Sequence, residues 1–256
     1  FGNFGGFILN RDFTVKKYSE LLDAFKEVDY SFQTFRDFLK QPLERVVILR
    51  HDVDKVPLNS LNFAKLEKDK GINASYFFRS VPYSYKPSVI RAIEKMGHEI
   101  GYHYEVMDQA KGNLNKALEM FNQNLVKFRN VAKIETICMH GSPMSKYDNR
   151  ELWNKFNYYD YGIIGEPYFD IDYSKVLYLT DTGRSWSNEE TNIRDKVESP
   201  FFYEIKNTNQ LIELINKKEL PNQIMLNTHP QRWNDDFLRW GKELVWQNMK
   251  NQIKRF

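Results

Sequence analysis

Short apolar runs alternate along the chain with longer segments of helical periodicity. Residues 46–49 (VVIL) form a continuous, mostly β-branched run, which is typical of a strand buried on both faces. Residues 58–70 show helical spacing and end at Gly71, a residue favoured just after a helix. Further strands are predicted at 74–78, 99–102, 134–139, 176–179 and 223–227, and further helices at 87–96, 113–128, 148–156, 209–217 and 235–254. This alternation predicts an α/β fold with a parallel sheet and right-handed crossovers.

The first part of the chain departs from this alternation. Helical spacing at 14–28 and a second short helix at 34–40 precede the first strand, so residues 1–44 are predicted to be an N-terminal helical elaboration. Residues 45–230 would then form a barrel core and 231–256 a closing helix, all in a single domain. Six or seven strand–helix units favour a distorted (β/α)7-type barrel over an open doubly wound sheet. No glycine-rich loop follows the first strand, which counts against a nucleotide-binding fold.

Composition and charge exclude several classes of protein. The 256 residues include 37 Lys and Arg against 34 Asp and Glu, and a net charge of +3 gives no reason to expect a nucleic-acid partner. One Cys cannot form an internal disulfide or a thiolate metal cluster, so any metal site must use the five His and the carboxylates. No run approaches the ~18 apolar residues of a membrane span. The opening residues show no basic-then-apolar leader, which favours the cytoplasm, and the basic stretch at 250–255 is interpreted as a solvated helix face.

Polar side chains cluster just after the predicted strands. They are His51, His103, His140 and His229, with Asp52, Asp54 and Asp181. Because the carboxyl ends of barrel strands converge on one face, three of these His, from three separate strand–helix units, are expected to meet the Asp52 and Asp54 carboxylates in one site. The alternative is that each one caps a local loop. His98 precedes its strand, lies at the opposite end from His103, and is interpreted as structural.

The Asp-Val-Asp sequence at 52–54 can place two carboxylates close together. Alternate residues of an extended chain point the same way, so Asp52 and Asp54 approach one locus while Val53 turns into the core. A divalent cation would relieve the repulsion between the two carboxylates, leaving one as a ligand and the other as a base. The alternative is an ordinary turn, since Asp is common there.

At these residues the sequence resembles the polysaccharide deacetylase family (NodB homology, carbohydrate esterase family 4). The similar segments follow the family's order: RHDVD at 50–54, INASYFF at 72–78, GHEIGYH at 97–103, MHGSP at 139–143, DTGRSW at 181–186 and MLNTHP at 225–230. HDVD followed by GHEIGYH resembles a divergent subgroup encoded with bacterial surface-polysaccharide (O-antigen, lipopolysaccharide) genes. The resemblance extends over about residues 45–230.

The resemblance implies a metal-dependent N-deacetylase on a distorted barrel, with a carbohydrate substrate. Asp52 matches the family's catalytic base and His229 its general acid. Asp54 and His103 match metal ligands, and the implied cofactor is a divalent metal, Zn²⁺ in the first instance. Asp181, with Arg184 and Trp186 of the same segment, would contact the sugar; ordinary aromatic packing is the alternative for Trp186.

The sequence departs from the family pattern at the second metal histidine. That position is Met107, a poor ligand for a hard divalent ion. Glu105, Asp108 or His140 could complete a set of three protein ligands with an open position. Cys138 shares a strand face with His140, but a buried Cys is usually inert.

Three functions are compatible with these residues. The first is metal-dependent removal of acetyl from an N-acetylated sugar in surface-polysaccharide biosynthesis. The second is a carbohydrate-binding pseudo-enzyme on the same barrel, suggested by Met107 and by the MHGSP segment, where His140 replaces an arginine of the resembled family. The third is a cofactor-free hydrolase of a small non-peptide C–N bond. The sequence carries no indication of oligomeric state.

Overall fold

The computed structural model describes residues 11–141, 145–186 and 197–255. Its strands are β1 (Ser31–Gln33), β2 (Val46–Val53), β3 (Ser75–Phe78), β4 (Glu99–Tyr104), β5 (Ile134–Met139), β6 (Val176–Thr180) and β7 (Gln223–Thr228). Its helices are α1 (Val15–Glu27), α2 (Phe35–Lys40), α3 (Pro57–Asp69), α4 (Pro87–Lys95), α5 (Leu114–Arg129), α6 (Pro167–Asp170), α7 (Thr208–Asn216) and α8 (Phe237–Arg255). Short 3₁₀ segments lie at Asn149–Asn154, Tyr158–Tyr161, Thr182–Arg184 and Pro230–Arg232.

The strands form one sheet in the order β5-β4-β3-β2-β7-β6, with β1 beside the first half of β2. Each pairing is parallel, which confirms the predicted α/β fold. Within the described residues β5 and β6 do not pair, so no closed ring of hydrogen bonds forms. Instead, the stretch before α6 runs beside β5, where Ile137 donates its N–H to the carbonyl of Gly165 at 3.2 Å.

One face of the sheet encloses a compact inner core. Cys138 of β5, Phe77 of β3, Ile48 of β2, Met225 of β7 and Val176 of β6 all belong to one buried apolar cluster. Because this cluster joins strands from both ends of the sheet, the sheet wraps around it as a barrel wall does. The other face packs against helices through a second, larger cluster.

Strand β2 decides which polar groups face inward. Its eight residues are all buried. Side chains of a strand alternate between its two faces, so Val46, Ile48, Arg50 and Asp52 point into the barrel. Val47, Leu49 and Val53 lie in the outer cluster. Arg50 and Asp52 therefore lie on the inner face of β2, directly after its apolar residues Val46 and Ile48.

His51 consequently lies on the helix side of β2, away from the inner face. Its Nε2 is 2.8 Å from Oε1 of Glu67 on α3, and its Nδ1 is 2.7 Å from the hydroxyl of Thr228. The hydroxyls of Tyr18 and Tyr76 donate to Glu67 at 2.6 Å each. This network satisfies a fully buried carboxylate, as buried charge requires.

Helix α2 closes the amino end of the barrel. Phe35 and Phe38 join the inner core. The N–H of Phe35 donates to Ser75 Oγ at 2.7 Å, and that of Arg36 donates to Oε2 of Glu99 at 2.9 Å. A carboxylate that accepts from the first N–H groups of a helix stabilises that helix. The predicted N-terminal elaboration is thus an integral part of the barrel, and it also supplies β1, which the sequence pattern did not indicate.

Two predicted elements differ from the structure. Strand β2 runs four residues beyond the predicted end at Leu49, because Arg50, His51 and Asp52 interrupt the apolar pattern while all remaining buried. The helix predicted at 148–156 is instead the short 3₁₀ segment Asn149–Asn154, capped by Asp148. No helix in the described parts of the chain combines the length and apolar content needed to cross a membrane.

Gly101 of β4 permits close packing against the inner core. A Cβ at this position would lie 2.3 Å from two ring atoms of Phe77, whereas one at Gly241 on α8 would meet nothing within 4 Å. We expect Gly101→Ala to lower the free energy of unfolding in urea by about 1–3 kcal/mol through overpacking. The control Gly241→Ala should be neutral or stabilising by about 0.5–1 kcal/mol. Equal stability of the two variants would contradict this packing.

Candidate metal centre and active site

Three predicted side chains converge at the carboxyl end of the barrel. Asp54 directly follows β2, His103 is on β4, and His140 directly follows β5. Asp54 Oδ1 lies 3.3 Å from His140 Nδ1 and 3.7 Å from His103 Nε2, and the two imidazole nitrogens are 3.2 Å apart. These atoms form a compact O,N,N set of the kind that holds a metal ion.

The orientation of His103 is fixed by its second nitrogen. Nδ1 lies 3.0 Å from the carbonyl oxygen of Cys138, which can only accept, so Nδ1 carries the proton. The lone pair of Nε2 is then directed at the cluster, as in metal-ligating histidines. Burial lowers the pKa of His103 to about 4, so the imidazole is neutral at pH 7.

His140 is held by its backbone. Its N–H donates to the carbonyl of Tyr104 at 2.8 Å, and its own carbonyl accepts from Asn149 Nδ2 at 2.8 Å. Both contacts tie the end of β5 to neighbouring segments. The ring is therefore anchored where it faces His103 and Asp54.

Asp54 provides the test of whether these residues fit a cation. Its Oδ2 accepts from Gln231 Nε2 at 3.1 Å, whereas its Oδ1 is buried and has no well-aligned hydrogen bond. Burial would raise the pKa of Asp54, but the neighbouring His140 holds the pKa well below its usual range. An ionised, unsatisfied oxygen between two imidazole nitrogens fits a divalent cation, and two His with one carboxylate suit Zn²⁺.

Asp52 is held by Arg50, a residue that the sequence analysis did not single out. Arg50 Nε and Nη2 donate to the two carboxylate oxygens at 2.9 and 2.6 Å, and Asn227 Nδ2 donates at 3.0 Å. Burial would raise the pKa of Asp52, but the charge of Arg50 brings it to about 2. Asp52 Oδ2 is also 3.9 Å from His103 Nε2. Asp52, His103 and Cys138 form a second possible donor set, but a cation there would be repelled by the Arg50 guanidinium, which is paired with Asp52.

His229 lies on the other side of Asp54 and is oriented by Asp181. His229 Nδ1 is 2.6 Å from Asp181 Oδ1, and Nε2 is 3.9 Å from Asp54 Oδ2. Asp181 also accepts from Arg232 Nη1 at 2.9 Å and from the Trp233 indole at 2.7 Å. Burial and Arg232 disfavour the charged imidazole, but the Asp181 carboxylate outweighs them and raises the pKa of His229. Asp181 is fully buried and faces His229, Arg232 and Trp233.

The residues around Met107 do not join the cluster of Asp54, His103 and His140. Met107 is buried in the outer apolar cluster. Both oxygens of Glu105 accept from Arg79, at 2.8 and 2.5 Å, which leaves Glu105 Oε2 3.9 Å from His140 Nε2. Asp108 is exposed and accepts from Ser145 at 2.9 Å. His140 is therefore the residue that supplies the second imidazole. Positions 142 and 143 of the MHGSP segment lie outside the described residues.

Arg184 and Trp186 do not face the cluster. The Trp186 ring is 3% exposed in the outer core, and its Nε1 donates to Thr208 Oγ1 at 3.1 Å. The guanidinium of Arg184 lies 4.7 Å from the ring centre of Phe13, and Nη1 donates to the carbonyl of Arg232. Within the described residues, the Trp186 ring packs near the rings of Phe13 and Trp233, which is the aromatic packing considered as the alternative for it.

Strand spacing could have revealed the missed residues. Arg50 precedes Asp52 by two positions, and Asn227 precedes His229 by two, so each pair shares one strand face. The register places Arg50 opposite Asn227 on adjacent strands. A buried Arg in a strand needs a partner, and Asp52 is the nearest carboxylate on its face.

Comparison with known proteins gives matches among solved structures. No family model and no curated protein matches the chain. A family 4 carbohydrate esterase from Bacillus anthracis is 11% identical over 92% of this chain and 86% of its own, with a TM-score of 0.41. PdaA, a family 4 carbohydrate esterase from Bacillus subtilis, is 12% identical over 90% of this chain and 84% of its own, with a TM-score of 0.37.

Replacing Arg50 tests how much the Arg50–Asp52 pair contributes to the stability of the protein. Arg50→Met leaves Asp52 as a buried, unpaired charge, and we expect a loss of about 3–5 kcal/mol in the free energy of unfolding at pH 7. The control is Arg150→Met, whose pair with Asp148 is partly exposed and should be worth about 0–1 kcal/mol. Urea titrations measure the free energy of unfolding of both variants. Similar losses in the two would show that the buried pair contributes no more to stability than the partly exposed pair.

Proposed function

We propose that this chain is a metal-dependent hydrolase that removes acetyl from an N-acetylated sugar in bacterial surface-polysaccharide biosynthesis. The observation that carries the proposal is the unsatisfied Oδ1 of Asp54 between His140 Nδ1 and His103 Nε2. The ordered motifs resembling the polysaccharide deacetylase family supply the substrate class. Zn²⁺ is the proposed metal, with Asp54, His103 and His140 as its ligands.

Asp52 is the proposed proton acceptor. The charge of Arg50 lowers the pKa of Asp52 to about 2, so its carboxylate is ionised at neutral pH, and Arg50 and Asn227 hold it in place. A carboxylate with so low a pKa is a weak base. A divalent cation at the neighbouring ligands, when bound, supplies the acidification of the attacking water and the polarisation of the amide carbonyl that such a base requires. Asp52 then takes one proton as the water oxygen bonds to the carbonyl carbon.

His229 is the proposed proton donor. Asp181 holds its Nδ1 and raises its pKa, so the imidazolium persists closer to neutral pH. Nε2 faces Asp54 and can give its proton to the amide nitrogen as the C–N bond breaks. The products are acetate and the free amine of the sugar. Asp181 acts here as a positioning residue behind His229.

The metal content of variants tests the proposed ligands Asp54 and His140 independently of enzymatic activity. Asp54→Asn should lose bound metal in elemental analysis after Zn²⁺ loading, and His140→Ala should lose most of it. Acetate release from N-acetylglucosamine oligomers or from a nucleotide N-acetyl sugar should fall by about 100-fold or more, as should wild-type activity after chelation. Asp108→Asn, an exposed carboxylate nearby, is the matched control and should keep both.

The outcomes separate the competing functions. Unchanged metal content in Asp54→Asn would reject this ligand set. Sugar binding without acetate release in the loaded wild type would favour a pseudo-enzyme. Activity on a small amide after exhaustive chelation would favour a cofactor-free hydrolase.

The pH profile tests the coupling of Asp181 to His229. The donor must be protonated, so activity is lost as pH rises through the pKa of His229. Asp181→Asn removes the charge that raises this pKa, and the alkaline limb of kcat/KM should move to lower pH while metal content stays unchanged. Asp172→Asn, an exposed carboxylate, is the control. An unmoved alkaline limb in Asp181→Asn would assign the proton donor elsewhere.

A further inference from the structure

Helix α8 presents an apolar face to solvent. The helix packs onto the protein through Trp240 and Gln247, which are 7% and 3% exposed. Leu238, Val245 and Met249 are 70%, 60% and 53% exposed. Their spacing of i, i+7 and i+11 aligns them along one side of the helix, opposite its buried side. An amphipathic helix would normally bury such a stripe.

Two aromatic residues widen this stripe into a groove. Phe237 and Trp246 are 54% and 50% exposed, and with the three aliphatic residues they line a shallow groove of about 430 Å³. We name these five residues the α8 apolar face: Phe237, Leu238, Val245, Trp246 and Met249. A contiguous exposed apolar patch of this kind marks an interaction surface.

The charge of the helix indicates what covers this face. Helix α8 contains five basic residues and one acidic residue, Glu243, whereas the whole chain has only 37 basic against 34 acidic residues. The helix therefore carries the entire net positive charge, and the remainder of the chain is slightly acidic. Lys242 and Lys250 are exposed beside the apolar face, and Lys250 Nζ lies 5.4 Å from the ring centre of Trp246.

A second copy of the chain does not suit this arrangement. Lys242 follows Leu238 by four positions and lines the groove itself, so it would interrupt an apolar seam. Two such helices would also bring like charges together, which is costly at an interface. An anionic lipid surface accepts both features, because the apolar side chains enter the acyl boundary while lysines meet the headgroups and Trp lies at the interface.

We propose that the α8 apolar face docks on the surface of an anionic lipid bilayer, with the helix in the plane of the interface. The helix is attached to the rim of the candidate site. Lys55, the residue after Asp54, lies 3.3 Å from Glu243 Oε2, and Asn251 Nδ2 donates to the carbonyl of Gly183 at 3.0 Å. Docking would thus hold the mouth of the barrel close to the lipid surface.

Vesicle sedimentation with the full chain tests the proposal. The wild type should sediment with vesicles of phosphatidylcholine and phosphatidylglycerol, and far less with phosphatidylcholine alone. The double variant V245D/M249D should lower the partition coefficient about tenfold or more, because it puts charge into the buried face of an interfacial helix. Val126→Asp is the matched control, since Val126 on α5 is also 60% exposed. It should bind as the wild type does.

A charge variant tests the headgroup contact separately. K242E/K250E should weaken binding to the anionic vesicles about tenfold or more, whereas Lys175→Glu, at an exposed site elsewhere, should not. Circular dichroism confirms that each variant is folded. Absence of wild-type binding, or equal binding by V245D/M249D, overturns the proposal. A concentration-dependent dimer that V245D/M249D abolishes would assign the face to a second copy and also overturn it.

Discussion

The buried ion pair between Arg50 and Asp52 is the contact on which the rest of the site depends. Both side chains lie on the inner face of β2, where the preceding inward residues are apolar, and neither is more than 2% exposed. The guanidinium also lies near the rings of Phe77 and Tyr168, at 5.8 and 5.4 Å from their centres. The carboxylate can stay ionised beyond a hydrophobic core only because this partner is fixed beside it. His103 and Asp54 therefore lie close to an Asp52 carboxylate that stays ionised.

Much of the fold could be predicted because apolar periodicity follows burial. The strands β3 to β7 and most helices lie close to their predicted positions. The second half of β2 could not be predicted, because its polar side chains are buried with partners that are distant in sequence. Asn227 donates to Asp52 of the Arg50–Asp52 pair, and Glu67 lies beside His51. A pattern based on apolar residues ends where polar residues begin, whatever their solvent exposure. Strand β1 was missed for a related reason, since three residues are too few to show a period.

The candidate ligands were predictable in part. Asp54, His103 and His140 follow strands or end them, and parallel strands deliver such residues to one end of a barrel. Which of Glu105, Asp108 and His140 would join Asp54 and His103 could not be read from sequence distance. The choice is made by strand register: His103 lies opposite Cys138, and His140 follows Cys138 by two positions on the same face. The two nearer carboxylates already have partners, Arg79 and Ser145.

The alternation along β2 also constrains how this chain can change in length. His51 and Asp52 are neighbours, yet one belongs to the network around Glu67 and the other to the inner face. Inserting one residue between Arg50 and His51 would exchange the faces of His51 and Asp52. The Asp52 carboxylate would then lie on the face of Glu67, and the His51 imidazole would lie on the face of Arg50. Single-residue indels in this strand should therefore be among the least tolerated changes in the protein, whereas a two-residue change would preserve the parity of every side chain.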